Sequence, residues 1–138
     1  MTELSIRTVF FISDGTGITA ETLGHSLLAQ FPDMRFKQVR LPFVDSIEKA
    51  RDCATRIREA GRSDGTRPIV FNSLVEPDLV AGLRNADALF LDLFERFIEP
   101  LEQELGQRST HTVGRFHGIA DSLDYKNRIE AINFALAH

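Results

Sequence analysis

One cysteine, one tyrosine and no tryptophan occur among the 138 residues. With Cys53 alone, no internal disulfide and no cysteine-based metal cluster can form. No apolar run approaches the ~20 residues that a membrane span requires. The opening Thr2-Glu3-Leu4-Ser5 lacks the basic start and apolar stretch of a signal peptide, so the expected location is the cytoplasm. A basic excess is missing too. Sixteen Lys and Arg stand against twenty Asp and Glu, a formal charge of −4, which argues against nucleic acid as a partner. No G-x-x-x-x-G-K-[ST] occurs, so a standard nucleotide P-loop is absent from the chain.

What remains is an ordinary globular composition, 43% hydrophobic and 26% charged, at a length that predicts one domain. Arg7-Thr8-Val9-Phe10-Phe11-Ile12 is β-branched and aromatic and ends at Asp14-Gly15, which predicts a strand buried on both faces. Ala20, Leu23, Leu27 and Phe31 then share a helical stripe. Phe36 to Leu41 alternates apolar and polar, as a half-exposed edge strand does. Asp45-Ser46-Ile47-Glu48 has capping-box spacing with Asp45 in the cap, and Ile47, Ala50, Ala54 and Ile57 continue as a helix with Gly61 as its stop. Pro68 to Phe71 predicts another buried strand. Glu76-Pro77-Asp78 opens a helix with acids near its positive end. Ala88 to Leu91 is a further buried run. Leu93, Phe97, Leu101 and Leu105 keep helical spacing around Pro100, which predicts a kink, and Gly106 ends the helix. Residues 107–122 read as a loop, and Tyr125, Ile129, Ile132 and Leu136 as a last helix running to the chain end.

Strands alternating with helices predict an α/β fold, a three-layer αβα sandwich around a mostly parallel sheet of about four strands, of Rossmann or flavodoxin-like kind. Right-handed crossovers bring the C-terminal ends of such strands to one edge, where ligands bind. That edge would gather Ser13-Asp14-Gly15-Thr16-Gly17, Pro42-Phe43-Val44-Asp45, Asn72-Ser73-Leu74 and Asp92. Gly15 and Gly17 let backbone N–H groups approach an anion, and Thr16 and Thr19 add hydroxyl donors at a helix start. Asp14 would repel phosphate unless a metal or a proton lies between them. In phosphoryl transfer such an acid holds Mg²⁺ or accepts a hydroxyl proton. Asp14-Gly15 is also ordinary turn chemistry and Thr19 an ordinary helix cap. Ser73 and Asp92 are candidate ligands, Asp92 also a candidate catalytic acid, although both suit helix starts. Arg115 and His117, in the polar segment after His111, are candidate anion contacts.

Several stretches resemble one family: Phe11-Ile12-Ser13-Asp14-Gly15-Thr16-Gly17-Ile18-Thr19-Ala20-Glu21, Leu41-Pro42-Phe43-Val44, Pro68-Ile69-Val70-Phe71-Asn72-Ser73-Leu74, His117-Gly118, and Tyr125-Lys126-Asn127-Arg128-Ile129-Glu130-Ala131-Ile132 closing on Phe134-Ala135-Leu136-Ala137-His138. Together, in order and across essentially the whole chain, they resemble the N-terminal half of the pyruvate, water dikinase (phosphoenolpyruvate synthase) regulatory proteins. The plant pyruvate, phosphate dikinase regulatory protein is of the same group. The resemblance implies a bifunctional enzyme. It would inactivate the dikinase by phosphorylating a threonine with ADP as donor and reactivate it with inorganic phosphate, releasing pyrophosphate. It implies that residues 1–138 form a single N-terminal α/β domain of a longer protein whose P-loop lies in the other half. Magnesium and ADP would serve the parent, with neither held tightly by this stretch alone, which would not turn over by itself. The implied partner is phosphoenolpyruvate synthase, with a homo-oligomer left open and neither nucleic acid nor membrane engaged.

Two other readings compete. The domain could dock the dikinase without doing chemistry. Alternatively, Asp14-Gly15-Thr16-Gly17-Ile18-Thr19 is close to the [ST]-x-T-G-x-T phosphate loop of flavodoxins, which carry FMN. Asp14 would then set a negative charge against the phosphate, and one tyrosine with no tryptophan leaves few aromatics to flank a flavin.

Overall fold

A computed structural model describes residues 6–110. Four parallel strands, β1 (Ile6–Ile12), β2 (Arg35–Leu41), β3 (Ile69–Asn72) and β4 (Leu89–Asp92), form one sheet in the order β2-β1-β3-β4. The helices are α1 (Ile18–Leu28), α2 (Ile47–Asp64), α3 (Pro77–Arg84) and α4 (Glu99–Leu105). The expected helix around Tyr125 lies outside the described residues, as do Arg115 and His117.

Alternation along β1 divides the core in two. Phe10 and Ile12 pack with Val70 against Ala50, Ala54 and Ile57 of α2 and Leu79 and Leu83 of α3. Val9 and Phe11 pack with Phe71, Leu93 and Ala20 and Leu28 of α1. Helices therefore cover both faces, the predicted three-layer α/β arrangement. The strand order places the reversal between β1 and β3: the chain leaves β1 toward β2 and leaves β3 toward β4. In such folds that gap is the ligand crevice. At the far end of β1, the Thr8 amide and hydroxyl both donate to Asp64 Oδ2, at 3.1 and 2.7 Å, and tie the strand to the last turn of α2.

Several local expectations shift. The buried stripe of α1 is Ala20, Gly24 and Leu28, while Leu27 and Phe31 are exposed. The cause is Gly24. A Cβ there would overlap Phe11 Cε1 and come within 3.2 Å of Cδ1 and Cζ, so the missing side chain sets how closely α1 lies on β1. The Phe11 ring cannot yield easily: it is fully buried, stacked on Phe71 and met edge-on by His25. Gly24→Ala gains about 1 kcal/mol of helix propensity but overpacks a fixed ring at about 1–3 kcal/mol. The expected outcome is a net loss of up to about 2 kcal/mol, read as a lower urea midpoint at unchanged slope.

Helix α2 runs through Gly61 and ends at Gly65, whose φ of 70° suits a left-handed cap and whose N–H returns to the Gly61 carbonyl. Its N-cap is Ser46, whose Oγ accepts the Lys49 amide at 3.1 Å; Asp45 instead pairs with Lys49 Nζ at 3.0 Å. The helical backbone around Pro100 is not interrupted: Phe94–Ile98 form a π-helical turn that passes directly into α4, with Leu93, Ile98 and Glu99 all right-handed helical, and Pro100 follows as the second residue of α4. A wide turn of this kind is one way a helix accommodates a changed backbone hydrogen-bond ladder. Strand β4 is only partly buried, since among the described residues it has a neighbour on one side alone.

Cys53 is buried on the inner face of α2. Burial pushes its thiol above the ordinary range, Arg56 opposing and Asp52 adding to the effect. The fold thus favours the neutral thiol. The stability this contributes is present below the ordinary thiol pKa and is lost as pH rises through it, because the unfolded thiol ionises first. Labelling by a disulfide reagent at pH 8 is expected to be at least about tenfold slower in the native protein than in urea.

Candidate functional site

The register aligns Leu41, Ile12, Asn72 and Asp92 in one row at the C-terminal edge. The segments named from sequence do therefore leave the same rim. What their side chains do there differs sharply.

Most of the polar groups hold the rim itself. Ser13 Oγ accepts the Gly15 amide at 2.9 Å. Asn72, fully buried, donates through Nδ2 to the Leu74 carbonyl at 3.2 Å and accepts the Leu74 amide through Oδ1 at 3.1 Å. The Ser73 hydroxyl donates to the Ile12 carbonyl at 3.2 Å, beside the Ser73 amide bound to the same oxygen at 2.9 Å. Asp92 is buried; its Oδ1 accepts the Phe94 amide at 3.0 Å and its Oδ2 pairs with Arg84 at 3.2 Å. Ser73 and Asp92 thus stitch strands and cap turns. Asp92 stands two strands from Ile12, roughly 10 Å at normal strand spacing. It lines a cleft of about 330 Å³ with Leu74, Arg84, Phe94 and Glu99, which neither Asp14 nor Ser73 lines.

Asp14 is the exception. Its carboxylate is exposed and makes no hydrogen bond or ion pair with the described residues, at the tip of a loop that is otherwise pinned. Gly15 O accepts the Phe43 amide at 2.8 Å and Ser13 O the Val44 amide at 2.9 Å, locking the β1 and β2 loops together. Gly17 is the N-cap of α1 at φ 85°, a conformation that favours glycine. Thr16 Oγ1 accepts the Ile18 amide at 3.4 Å, and Thr19 lies in the first turn. Gly15, Thr16, Gly17 and Thr19 are accordingly brought together at one helix start, next to Asp14.

Sequence reasoning missed Arg40. It pairs in register with Phe11 and so shares the α1 face of the sheet. Its side chain crosses Gly17, where an added Cβ would sit 3.2 Å from Arg40 Cδ, and its guanidinium meets Glu21 at 3.3 Å. A cation thus flanks the loop that carries Asp14. The legible signal was a basic residue one place before a strand end. Phe43 belongs to the segments that the sequence gathers at this edge, although sequence reasoning assigned it no role there. Its ring is 55% exposed on the same rim, its φ is 57°, and Lys49 Nζ holds its carbonyl at 3.3 Å.

Among the described residues no cluster of three or more His, Cys, Asp or Glu could hold a metal by itself, and no helix is long and apolar enough to cross a membrane. One carboxylate at the loop still fits magnesium, which binds through one or two carboxylates plus substrate phosphates.

Residues 9–138 match a family described as kinase/pyrophosphorylase. The chain is 78% identical over 138 residues to a protein of Azoarcus sp. (strain BH72), covering all of this chain and 50% of that one. Identity is 75% over 138 residues, with the same coverage, to a protein of Aromatoleum aromaticum. It is 60% over 134 residues to one of Herminiimonas arsenicoxydans, covering 97% and 47%. All three are provisionally named phosphoenolpyruvate synthase regulatory proteins. The chain spans about half the length of these curated relatives. On this match it belongs to the kinase/pyrophosphorylase family, that of the phosphoenolpyruvate synthase regulatory proteins.

Proposed function

We propose that this chain is the N-terminal domain of a bifunctional enzyme that switches phosphoenolpyruvate synthase off and on, and that its β1–α1 loop supplies half of the active site. The observation that carries this reading is the uncommitted Asp14 carboxylate. Ser13, Asn72 and Ser73 spend their polar groups on the backbone and Asp92 on the backbone and Arg84, whereas Asp14 makes no such bond among the described residues.

In the inactivating direction the target threonine hydroxyl attacks the β-phosphorus of ADP. The new P–O bond forms as the bond to the AMP oxygen breaks, and the threonine proton passes to Asp14. In the reverse direction an oxygen of inorganic phosphate attacks the phosphothreonine phosphorus. The bond to threonine breaks, pyrophosphate leaves, and Asp14 returns the proton to the departing oxygen. Gly15, Thr16, Gly17 and Thr19 seat the transferred group through amides and hydroxyls, with Arg40 as the flanking positive charge. Asp14 would also hold magnesium, which neutralises charge on the phosphates. The family resemblance implies that the nucleotide loop lies in the other half of the parent; no P-loop motif occurs in these 138 residues. Asp14→Ala in the full-length protein, assayed in both directions, tests the reading: both rates fall together.

A docking role has one observation in its favour. Ile18, Phe43 and Ile47 are exposed apolar residues at the starts of α1 and α2 and the loop between β2 and α2. A rim that only docks the target would lose affinity, not turnover, on Asp14→Ala. An FMN site would show as visible absorption in the purified protein.

A further inference from the structure

The opposite end of the sheet carries a different concentration of charge. A cleft of about 420 Å³ opens where α2 ends and β3 and β4 begin, lined by Arg58, Arg62, Thr66, Arg67 and Asp87 among others. Arg58 and Arg62 are one helical turn apart and so share a face of α2. Arg67 follows in the turn to β3. Arg7, from the start of β1, donates to the Thr66 hydroxyl and brings a fourth guanidinium beside the same turn.

None of Arg58, Arg62 and Arg67 has a carboxylate within 4.0 Å among the described residues, whereas Arg40 and Arg84 elsewhere are paired. The chain as a whole is acidic, at −4, so this gathering runs against its average. Arginines in a last helical turn offset the negative end of the helix dipole, but that end is worth roughly half a charge. Three guanidinium groups exceed it several-fold, and Asp87 is the one carboxylate lining the cleft. Unpaired like charges around a concave surface repel one another and focus a positive potential there, which a bound anion would relieve.

We propose that this cleft is a binding site for a small oligophosphate, a ligand carrying two or more linked phosphate groups. Guanidinium forks match pairs of phosphate oxygens. The volume falls within the ~300–1,000 Å³ of small-molecule sites. A single phosphate has at most four oxygens to offer three two-pronged guanidinium groups, so affinity should rise with the number of linked phosphates. The site lies at the far end of the sheet from Asp14 and stands or falls independently of the role given to that residue.

The test is calorimetric titration of the full-length protein at low ionic strength with inorganic tripolyphosphate and, separately, orthophosphate. One equivalent of tripolyphosphate should bind through the cleft. Arg62→Ala/Arg67→Ala should weaken that equivalent at least about tenfold, and Arg62→Lys/Arg67→Lys should weaken it less, keeping charge but losing the forks. Arg51→Ala/Arg56→Ala, the same charge change on α2 outside the cleft, should leave it unchanged, and orthophosphate should bind at least about tenfold more weakly. Equal affinity in the Arg62→Ala/Arg67→Ala variant, equal loss in the Arg51→Ala/Arg56→Ala control, or no tripolyphosphate binding beyond sites that both variants retain would overturn the proposal. So would an acidic peptide that needs these arginines while tripolyphosphate does not bind.

Discussion

Asp14→Ala in the full-length protein is expected to slow both threonine phosphorylation and phosphate-dependent dephosphorylation by about 10²–10⁴-fold, the range for losing a positioned general acid–base group. Stability should stay within about 0.5 kcal/mol, as for surface substitutions that break no contact. Asp14 is exposed and makes no hydrogen bond or ion pair among the described residues, so little in the fold depends on it. The two reactions share one bond, that between the threonine oxygen and phosphorus. A group that takes the proton in one direction must return it in the other, which is why both rates should fall together. Asp14→Asn separates the roles further: it keeps the size of the side chain but neither accepts the proton nor binds magnesium well, so it should resemble alanine. Docking alone would give a different signature, a raised KM for the target with kcat kept. Wild-type rates in both directions would leave Asp14 as turn chemistry.

The elements were legible where apolar runs met turn residues. Arg7 to Ile12 before Asp14-Gly15 is such a case, and the polar alternation of Phe36 to Leu41 marked a strand that stands at the sheet edge among the described residues. The gathering of the loops at one edge followed from parallel topology alone. What escaped was set by distance between elements. Gly24 reads in sequence as a weak point in a helix; in the fold it is the place where α1 touches Phe11. Gly61 reads as a stop, yet α2 continues past it with Ile57 and Ala54 already anchored in the core, which outweighs a glycine cost of about 1 kcal/mol. Asp45 and Ser46 are both competent caps, and a shift of one residue separates them. Arg40 on an edge strand reads as solvated, and only the β1–β2 register shows it sharing a face with Phe11 beside the loop. Composition likewise could not separate polar groups that hold the rim from one that is uncommitted, because that distinction is made by hydrogen bonds.

Asn72→Ala is expected to cost about 2–6 kcal/mol, the largest stability effect at this edge, because it strands two buried groups at about 1–3 kcal/mol each. Asn72 is fully buried, and its amide satisfies both the N–H and the C=O of Leu74, itself 1% exposed. The side chain stands in for a turn of backbone, fixing the path of Ser73 and Leu74 along the crevice between β1 and β3. Against a total stability of about 5–15 kcal/mol, such a loss should lower the urea midpoint clearly without altering its slope. Asn72→Asp gives a sharper check. Ionised, it keeps an acceptor for the Leu74 amide but turns a second oxygen against the Leu74 carbonyl, in a site buried from solvent. Protonated, it regains a donor. Burial raises the pKa of such a carboxyl, so the stability of the Asn72→Asp variant should be greatest at low pH and fall as pH rises through the folded-state pKa. Wild type should lack this added dependence. An Asn72→Ala protein within about 0.5 kcal/mol of wild type would mean that Leu74 finds other partners and that the crevice wall does not depend on this amide.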